Sequence, residues 1–231
     1  MREIQQKVTG ARLDFIDCDL SSQASIRKAA EQFKSRHQKL DVLFNQAGVF
    51  TQQRKLTVDG IETMFAVNHL SYFLLTNLLR DVLEASAPAR VINGTGALER
   101  AGKINLDDLS FEKKWSPFKA LAQSKLGNLL FNAELARKLS GTRVTANSFH
   151  PGGVKTGFGS GAGGAIGLLM KFTSLFGDSP EKAALSPLHL ASDPSLAQTS
   201  GEFFMLTKKT VPSAQAEIQS SPVASGKPAS D

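Results

Sequence analysis

The sequence predicts a doubly wound α/β fold, a parallel sheet covered by helices on both faces. Three observations predict it. Short apolar runs stopped by glycine or proline (DVLFNQAG, RVINGTG and TRVTANSFHPGG) read as strands buried on both faces. Between them lie longer segments whose apolar residues recur at helical spacing, and strands that alternate with helices join into a parallel sheet by right-handed crossovers. A chain of 231 residues, 41% hydrophobic and 21% charged, is long enough to bury one such core.

A short helical start precedes RLDFIDCDL, whose alternation predicts a strand ending at Asp19. Ser21 or Ser22 then caps a helix from roughly Gln23 to Arg36. The run DVLFNQAG predicts the next strand, stopped by Gly48. A long helix follows, near Gly60 to Ala85, with Ile61, Met64, Phe65, Leu75, Leu78, Leu79 and Val82 at helical spacing. RVINGTG is a further buried strand, Pro117 opens a helix reaching about Leu139, and TRVTANSFHPGG is another strand with a Pro-Gly stop. From Thr156 to Gly177 the chain is Gly-rich and then apolar. A helix begins near Ser179 and Pro180 and ends around Ala191, and GEFFML, residues 201–206, is the last strand. Residues 207–231 carry much Ser, Pro and Ala and little apolar bulk, so the folded domain is expected at 1–206 and a disordered tail at 207–231.

Composition narrows the function classes. The net charge of +6 comes from Lys and Arg spread along the chain, not gathered into a basic arm, which argues against nucleic acid. Cys18 is the single cysteine, so there is no intrachain disulfide and no cysteine-built metal site, and none is expected. The N-terminus has no apolar signal segment, and the window AIGLLMKFTSLF is too short to span a bilayer and contains Lys171. A cytoplasmic protein is the expectation, with at most peripheral membrane contact through Ile166 to Phe176.

Four stretches, in this order, resemble the short-chain dehydrogenase/reductase family, nearest its retinol-dehydrogenase-like and protochlorophyllide-reductase-like branch. They are DCDLSS, NQAG, VNHLSYFLLTNLL, and QSKLGNLLFNAELARKL followed by HPGGVKT. The resemblance covers residues 1 to about 206 and implies a Rossmann-like sheet, NAD(P) as cofactor and a small carbonyl or alcohol as substrate. It implies cofactor contacts at Asp19, Asn45, Ala47, Gly48, Lys125, Pro151, Gly152, Val154 and Thr156. In the family, hydride passes between nicotinamide and substrate while a Tyr transfers the proton, its pKa lowered by a Lys one helical turn on. Lys125 occupies that Lys position, but Leu121 stands at the Tyr position. The family's Ser falls at Gly96, and Asn68 matches the Asn that holds a proton-relay water. Thr95 is one residue early, so on a regular strand its side chain points to the opposite face, and an irregular strand end would bring it back as the hydroxyl.

Tyr72, the only tyrosine, lies among Leu70, Phe73 and Leu74 and reads as core. Leu121, Lys125, Asn128 and Asn132 share one helix face, polar apart from Leu121, while Ala122, Leu126, Leu129, Ala133 and Ala136 form the face expected to be buried. On that reading Leu121 is the wall of an inherited pocket rather than core.

The family's opening β-α-β unit, with its TGxxxGxG phosphate loop, has no counterpart before Met1. Residues 156–163 do spell TGxxxGxG, but they follow a Pro-Gly connector instead of a buried strand and read as a flexible loop. Without that unit, RLDFI is expected to lose its neighbour and DVLF to present an open edge, unless the two pair directly, and the domain to be destabilised or dependent on a partner. Three functions follow as expectations. The first is a degenerate family member without catalysis or cofactor binding. The second is an active oxidoreductase whose front lies upstream and whose proton comes from water. The third is a non-catalytic module that forms a homo-oligomer or pairs with an intact relative.

Overall fold

Four parallel strands and one antiparallel strand make up the sheet, in the order β1-β2-β3-β4-β5, in a computed structural model that describes residues 2–152 and 177–212. They are β1 (Val42–Asn45), β2 (Ala89–Gly94), β3 (Val144–His150), β4 (Phe203–Met205) and β5 (Lys208–Lys209). Helix α1 (Arg2–Lys7) stands first, and α2 (Gln23–Arg36) follows with Ser22 as its N-cap, accepting from the Ser25 N–H. Between β1 and β2 run α3 (Thr63–Phe65), a π-helical turn at Ala66–Leu70, α4 (Ser71–Leu78) and α5 (Arg80–Ala85). Helix α6 (Pro117–Lys138) joins β2 to β3, and α7 (Pro180–Ala183) and α8 (Leu185–Ser192) precede β4. No helix among the described residues is long and apolar enough to cross a membrane.

Strand alternation divides the core into two layers. Val91 and Ala146 pack with Tyr72, Leu83, Phe131 and Leu135 on the face carrying α2, α4, α5 and α6. Ile92, next to Val91, and Phe149, an odd number of residues beyond Ala146, point the other way and pack with Leu190 of α8 and Phe204. Helices therefore cover both faces, as the doubly wound class requires. Cover is thinner beside β1, where Phe44 stacks on Phe149 yet stays 45% exposed.

Three expectations need correction. RLDFIDCDL forms no strand: Asp14 pairs with Arg36 and His37, and Phe15 is 66% exposed. Alternation supplies propensity, but a strand exists only through a hydrogen-bonded neighbour, and among the described residues β1 pairs with β2 alone. The expected open edge of DVLF is present, and direct pairing of RLDFI with it is not. The helix predicted from Gly60 to Ala85 is interrupted twice, by the π turn and at Leu79. The π turn sits where the Asn68 side chain bonds the backbone of Val49 instead of facing solvent. Strand β5 falls on Lys208 and Lys209, in the segment expected to lack structure; pairing with Met205 and Phe204 across a tight turn accounts for it.

Candidate functional site

The chemistry-bearing positions meet where β2 and β3 end against α6. The Thr95 N–H donates to the Phe149 carbonyl at 2.8 Å, extending the β2–β3 register so that Thr95 and His150 become neighbours. Both belong to the face that α6 covers. The Thr95 hydroxyl donates to the Lys125 carbonyl at 2.8 Å, so it is committed to the helix backbone. At Gly96 the backbone is extended, and an added Cβ would meet only the Lys125 stem, 3.8 Å away.

Lys125 is partly exposed as a residue, yet its ammonium is crowded by protein, and this desolvation pushes its pKa down to about 8. It has no carboxylate or hydrogen-bond partner among the described residues. His150 is held below the usual imidazole range by burial first and by the charge of Lys125 second. Its Nδ1 is buried without a partner. Within HPGG nothing local marks His150 as functional; the signal that marks it is a titratable ring at the C-terminal end of a parallel strand.

Asn68 is fully buried in the π turn, where its amide accepts from Val49 N–H at 2.8 Å and donates to the Val49 carbonyl at 3.0 Å, with the Ser124 hydroxyl 3.4 Å away. Its own carbonyl accepts from Asn128 Nδ2 at 2.8 Å. That Nδ2 also donates to the Gly94 carbonyl at 3.0 Å, while Asn128 Oδ1 meets His69 Nδ1 at 3.0 Å. Asn45 donates to Asn93 at 2.9 Å and Thr76 at 3.1 Å, and Asn93 donates to Asn132 at 3.1 Å. These amides form a buried ladder from β1 across β2 to α6.

The helix-face assignment holds in part for α6. Ala122, Leu126 and Leu129 are buried as expected and Ala133 and Ala136 are partly covered, but Asn128 and Asn132, expected on the polar face, are fully buried against the sheet as well. Amides can occupy the buried face because each finds a partner there. Leu121 lies on the same face and is core: it packs with Met64 and Ala120, and with the partly buried Val49, Phe50, Phe111 and Trp115. Tyr72 is core as expected, its hydroxyl donating to the Ala47 carbonyl at 2.7 Å and its pKa raised by burial.

The remaining predicted positions are dispersed. Asp19 is exposed at the start of α2, where its carboxylate accepts from Ser21 N–H and Oγ, bonds that lower its pKa. Ala47 and Gly48 lie in the loop after β1. Pro151 and Gly152 follow His150, and Gly152 has φ +86° with Asp178 Oδ2 3.1 Å from where a Cβ would stand. Val154, Thr156, the TGFGSGAG stretch and the apolar window from Ile166 to Phe176 lie outside the described residues. No cluster of three or more His, Cys, Asp or Glu suited to a metal occurs among the described residues.

The lowered Lys125 pKa carries a sign for stability. The folded state holds fewer protons than the unfolded between pH 8 and 10.5, so stability rises with pH across that window and is reduced by the buried charge below it. Lys125→Met is expected to gain about 2 kcal/mol at pH 7, after discounting for partial exposure. Urea melts should show that gain shrinking toward zero by pH 10.5, and a gain independent of pH would contradict the desolvated charge.

The sequence profile of the short chain dehydrogenase family matches residues 1–163. Human retinol dehydrogenase 14 is 40% identical over 193 residues, 81% of this chain and 57% of that protein. Human retinol dehydrogenase 13 is 41% identical over 206 residues, 86% of this chain and 62% of that protein. This chain thus spans about 60% of the length of these relatives. Among solved structures, a protein from Mycobacterium paratuberculosis superposes with a TM-score of 0.69 at 28% identity, covering 94% of this chain and 74% of its own. A blue fluorescent protein from a metagenomic library, solved with NADPH, superposes at 0.65 with 24% identity, over 89% of this chain and 78% of its own, a likeness of fold.

Proposed function

Because the chain belongs to the short chain dehydrogenase family, we propose that it is a member whose site has lost proton transfer and that it does not turn over an alcohol or carbonyl of the retinoid class. The observation that supports this reading is the use made of each hydroxyl near Lys125. Thr95 donates to the Lys125 carbonyl and Ser124 to the Leu121 carbonyl at 2.7 Å, while positions 96 and 121 carry glycine and leucine. Burial and the charge of Lys125 hold His150 below its ordinary pKa, which makes it a weaker base than a free imidazole.

The described residues fit part of a nicotinamide dinucleotide. Lys125 offers an ammonium free to donate to sugar hydroxyls, and the bare backbone at Gly96 leaves room beside it. When bound, that cofactor supplies or accepts a hydride. The chain's own part of the reaction is to hold the substrate oxygen and move its proton, and here no phenol stands one turn from Lys125 to do so.

The test is absorbance at 340 nm with NADP⁺ and all-trans-retinol, and with NADPH and all-trans-retinal. No change above the protein-free blank is expected. A kcat in the ordinary range of about 1–10³ s⁻¹ would reject the proposal. A second reading, an oxidoreductase whose proton comes from water, is favoured by the high identity to proteins named retinol dehydrogenases. It requires turnover in that same assay.

A further inference from the structure

We propose that Lys125 and His150 form a binding site for the carboxylate of an apolar organic acid, whose body lies along the aromatic cluster around Leu121. This rests on the reading that the corner no longer performs proton transfer.

The two nitrogen bases converge for a reason of register. Val144 and Ala146 point into the core beneath α6, so His150, two and three alternations further along β3, points to the same side. Thr95, the residue just past β2, stands beside His150 and is bonded to the backbone of Lys125. The electrostatic coupling between Lys125 and His150 agrees with that placement.

Among the described residues no hydrogen bond or ion pair reaches the Lys125 ammonium, and the buried Nδ1 of His150 has no hydrogen-bond partner. Of the acids and bases on surrounding elements, Glu62 accepts from the Met64 and Phe65 N–H groups at 2.8 Å and His69 is bonded to Asn128. Glu99 is fully buried with Arg100 3.8 Å away and no hydrogen bond to either carboxylate oxygen among the described residues. The sequence that follows Gly152, residues 153–176, contains Lys155 and Lys171 and neither Asp nor Glu. A desolvated cation without a partner is costly, and a bound anion removes that cost.

The surroundings select the rest of the ligand. Leu121 lies one turn before Lys125 on the same helix face, and Phe50, Phe111 and Trp115 pack partly exposed against its cluster. One ammonium and one imidazole suit a single carboxylate. Gly96, which presents no side chain toward Lys125, leaves space for it.

Trp115 is the only tryptophan and packs in that cluster, so its fluorescence reports occupancy. Titration with decanoate, without nicotinamide, is expected to give a saturable change at pH 7. Decanol, with the same apolar body and no charge, should bind at least about tenfold more weakly. Lys125→Met and, separately, His150→Gln should each weaken decanoate by about tenfold or more while leaving decanol unchanged, with melting curves confirming folded variants. Equal binding of decanoate and decanol, or decanoate binding untouched by both substitutions, would overturn the proposal. Inorganic phosphate competing as strongly as decanoate would overturn the assignment to a carboxylate. Failure to bind leaves the absence of turnover standing, whereas turnover in the 340 nm assay with decanoate still bound would remove only that reading.

Discussion

Combining Leu121→Tyr with Gly96→Ser is expected to bring retinol oxidation with NADP⁺ from the level of the protein-free blank to a measurable rate, the two groups supplying the roughly 10²–10⁴-fold that a positioned general acid or base contributes. The geometry for the gain is already in place. Position 121 lies one turn before Lys125 on the sheet-facing side of α6, so a phenol there stands along the helix face from a desolvated ammonium that favours its ionised form. A serine at 96 would meet only the Lys125 stem, 3.8 Å from its Cβ, and would fit without displacing backbone. The tyrosine has a cost, because Leu121 is packed against Met64 and Ala120, and a larger ring there should lower stability by about 1–3 kcal/mol. Initial rates at 340 nm, with melting curves on each variant, check both parts. Each single substitution should give less than the pair, because hydroxyl and phenol act on the same substrate oxygen. A folded double variant no faster than the parent would show that the two missing hydroxyls are not what limits this chain.

Asn128→Ala is expected to destabilise the fold by about 3–5 kcal/mol, a large effect for one polar residue. Its amide ties α6 to two other elements, the π turn and β2. It bonds the Asn68 carbonyl in the π turn, the Gly94 carbonyl at the end of β2, and His69. Truncation would leave two buried carbonyls and a buried imidazole without that partner. The loss should therefore exceed that of Asn132→Ala, whose side chain is bonded to Asn93 alone. Urea denaturation of the two variants gives the comparison. A loss below about 1 kcal/mol for Asn128→Ala would mean that the π turn keeps its position without this tie.

Particular residues show how far one chain of letters can be read. The strands DVLF, RVING and VTANSFH are found where predicted because short runs rich in β-branched and apolar residues, stopped by glycine or proline, carry the strand signal locally even where Asn93, Asn147 and Ser148 interrupt them. The Ser22 cap and the start of α6 at Pro117 were equally legible, since a helix end is satisfied by residues within a few positions of it. Ser179 capping α7 belongs with them. The family resemblance, carried by the order of four motifs, agrees with the sequence profile and with the fold.

What could not be read locally depends on partners far along the chain. RLDFIDCDL alternates like a strand, yet pairing decides whether it becomes one, and among the described residues β1 has only β2 beside it. Leu121, Asn128 and Asn132 could be assigned to a common helix face from spacing alone, but which face meets the sheet could not. Two asparagines suggest solvent until Asn93, Gly94 and Asn68 are seen to supply their hydrogen bonds from 34 to 60 residues away. His150 carried no marking in its motif, and its proximity to Lys125 follows from strand register and helix packing together.

The sequence alone was therefore sufficient for the class of fold, the ancestry and the absence of a tyrosine and a serine from two positions, because patterning and identity are properties of single residues and their near neighbours. Folding in three dimensions was needed to show that Leu121 is core, that the nearby hydroxyls are committed to backbone carbonyls, and that Lys125 and His150 share a corner in which, among the described residues, neither the Lys125 ammonium nor His150 Nδ1 has a hydrogen-bond partner. Burial and hydrogen-bond satisfaction are relations between distant segments, and they exist only once those segments are packed together.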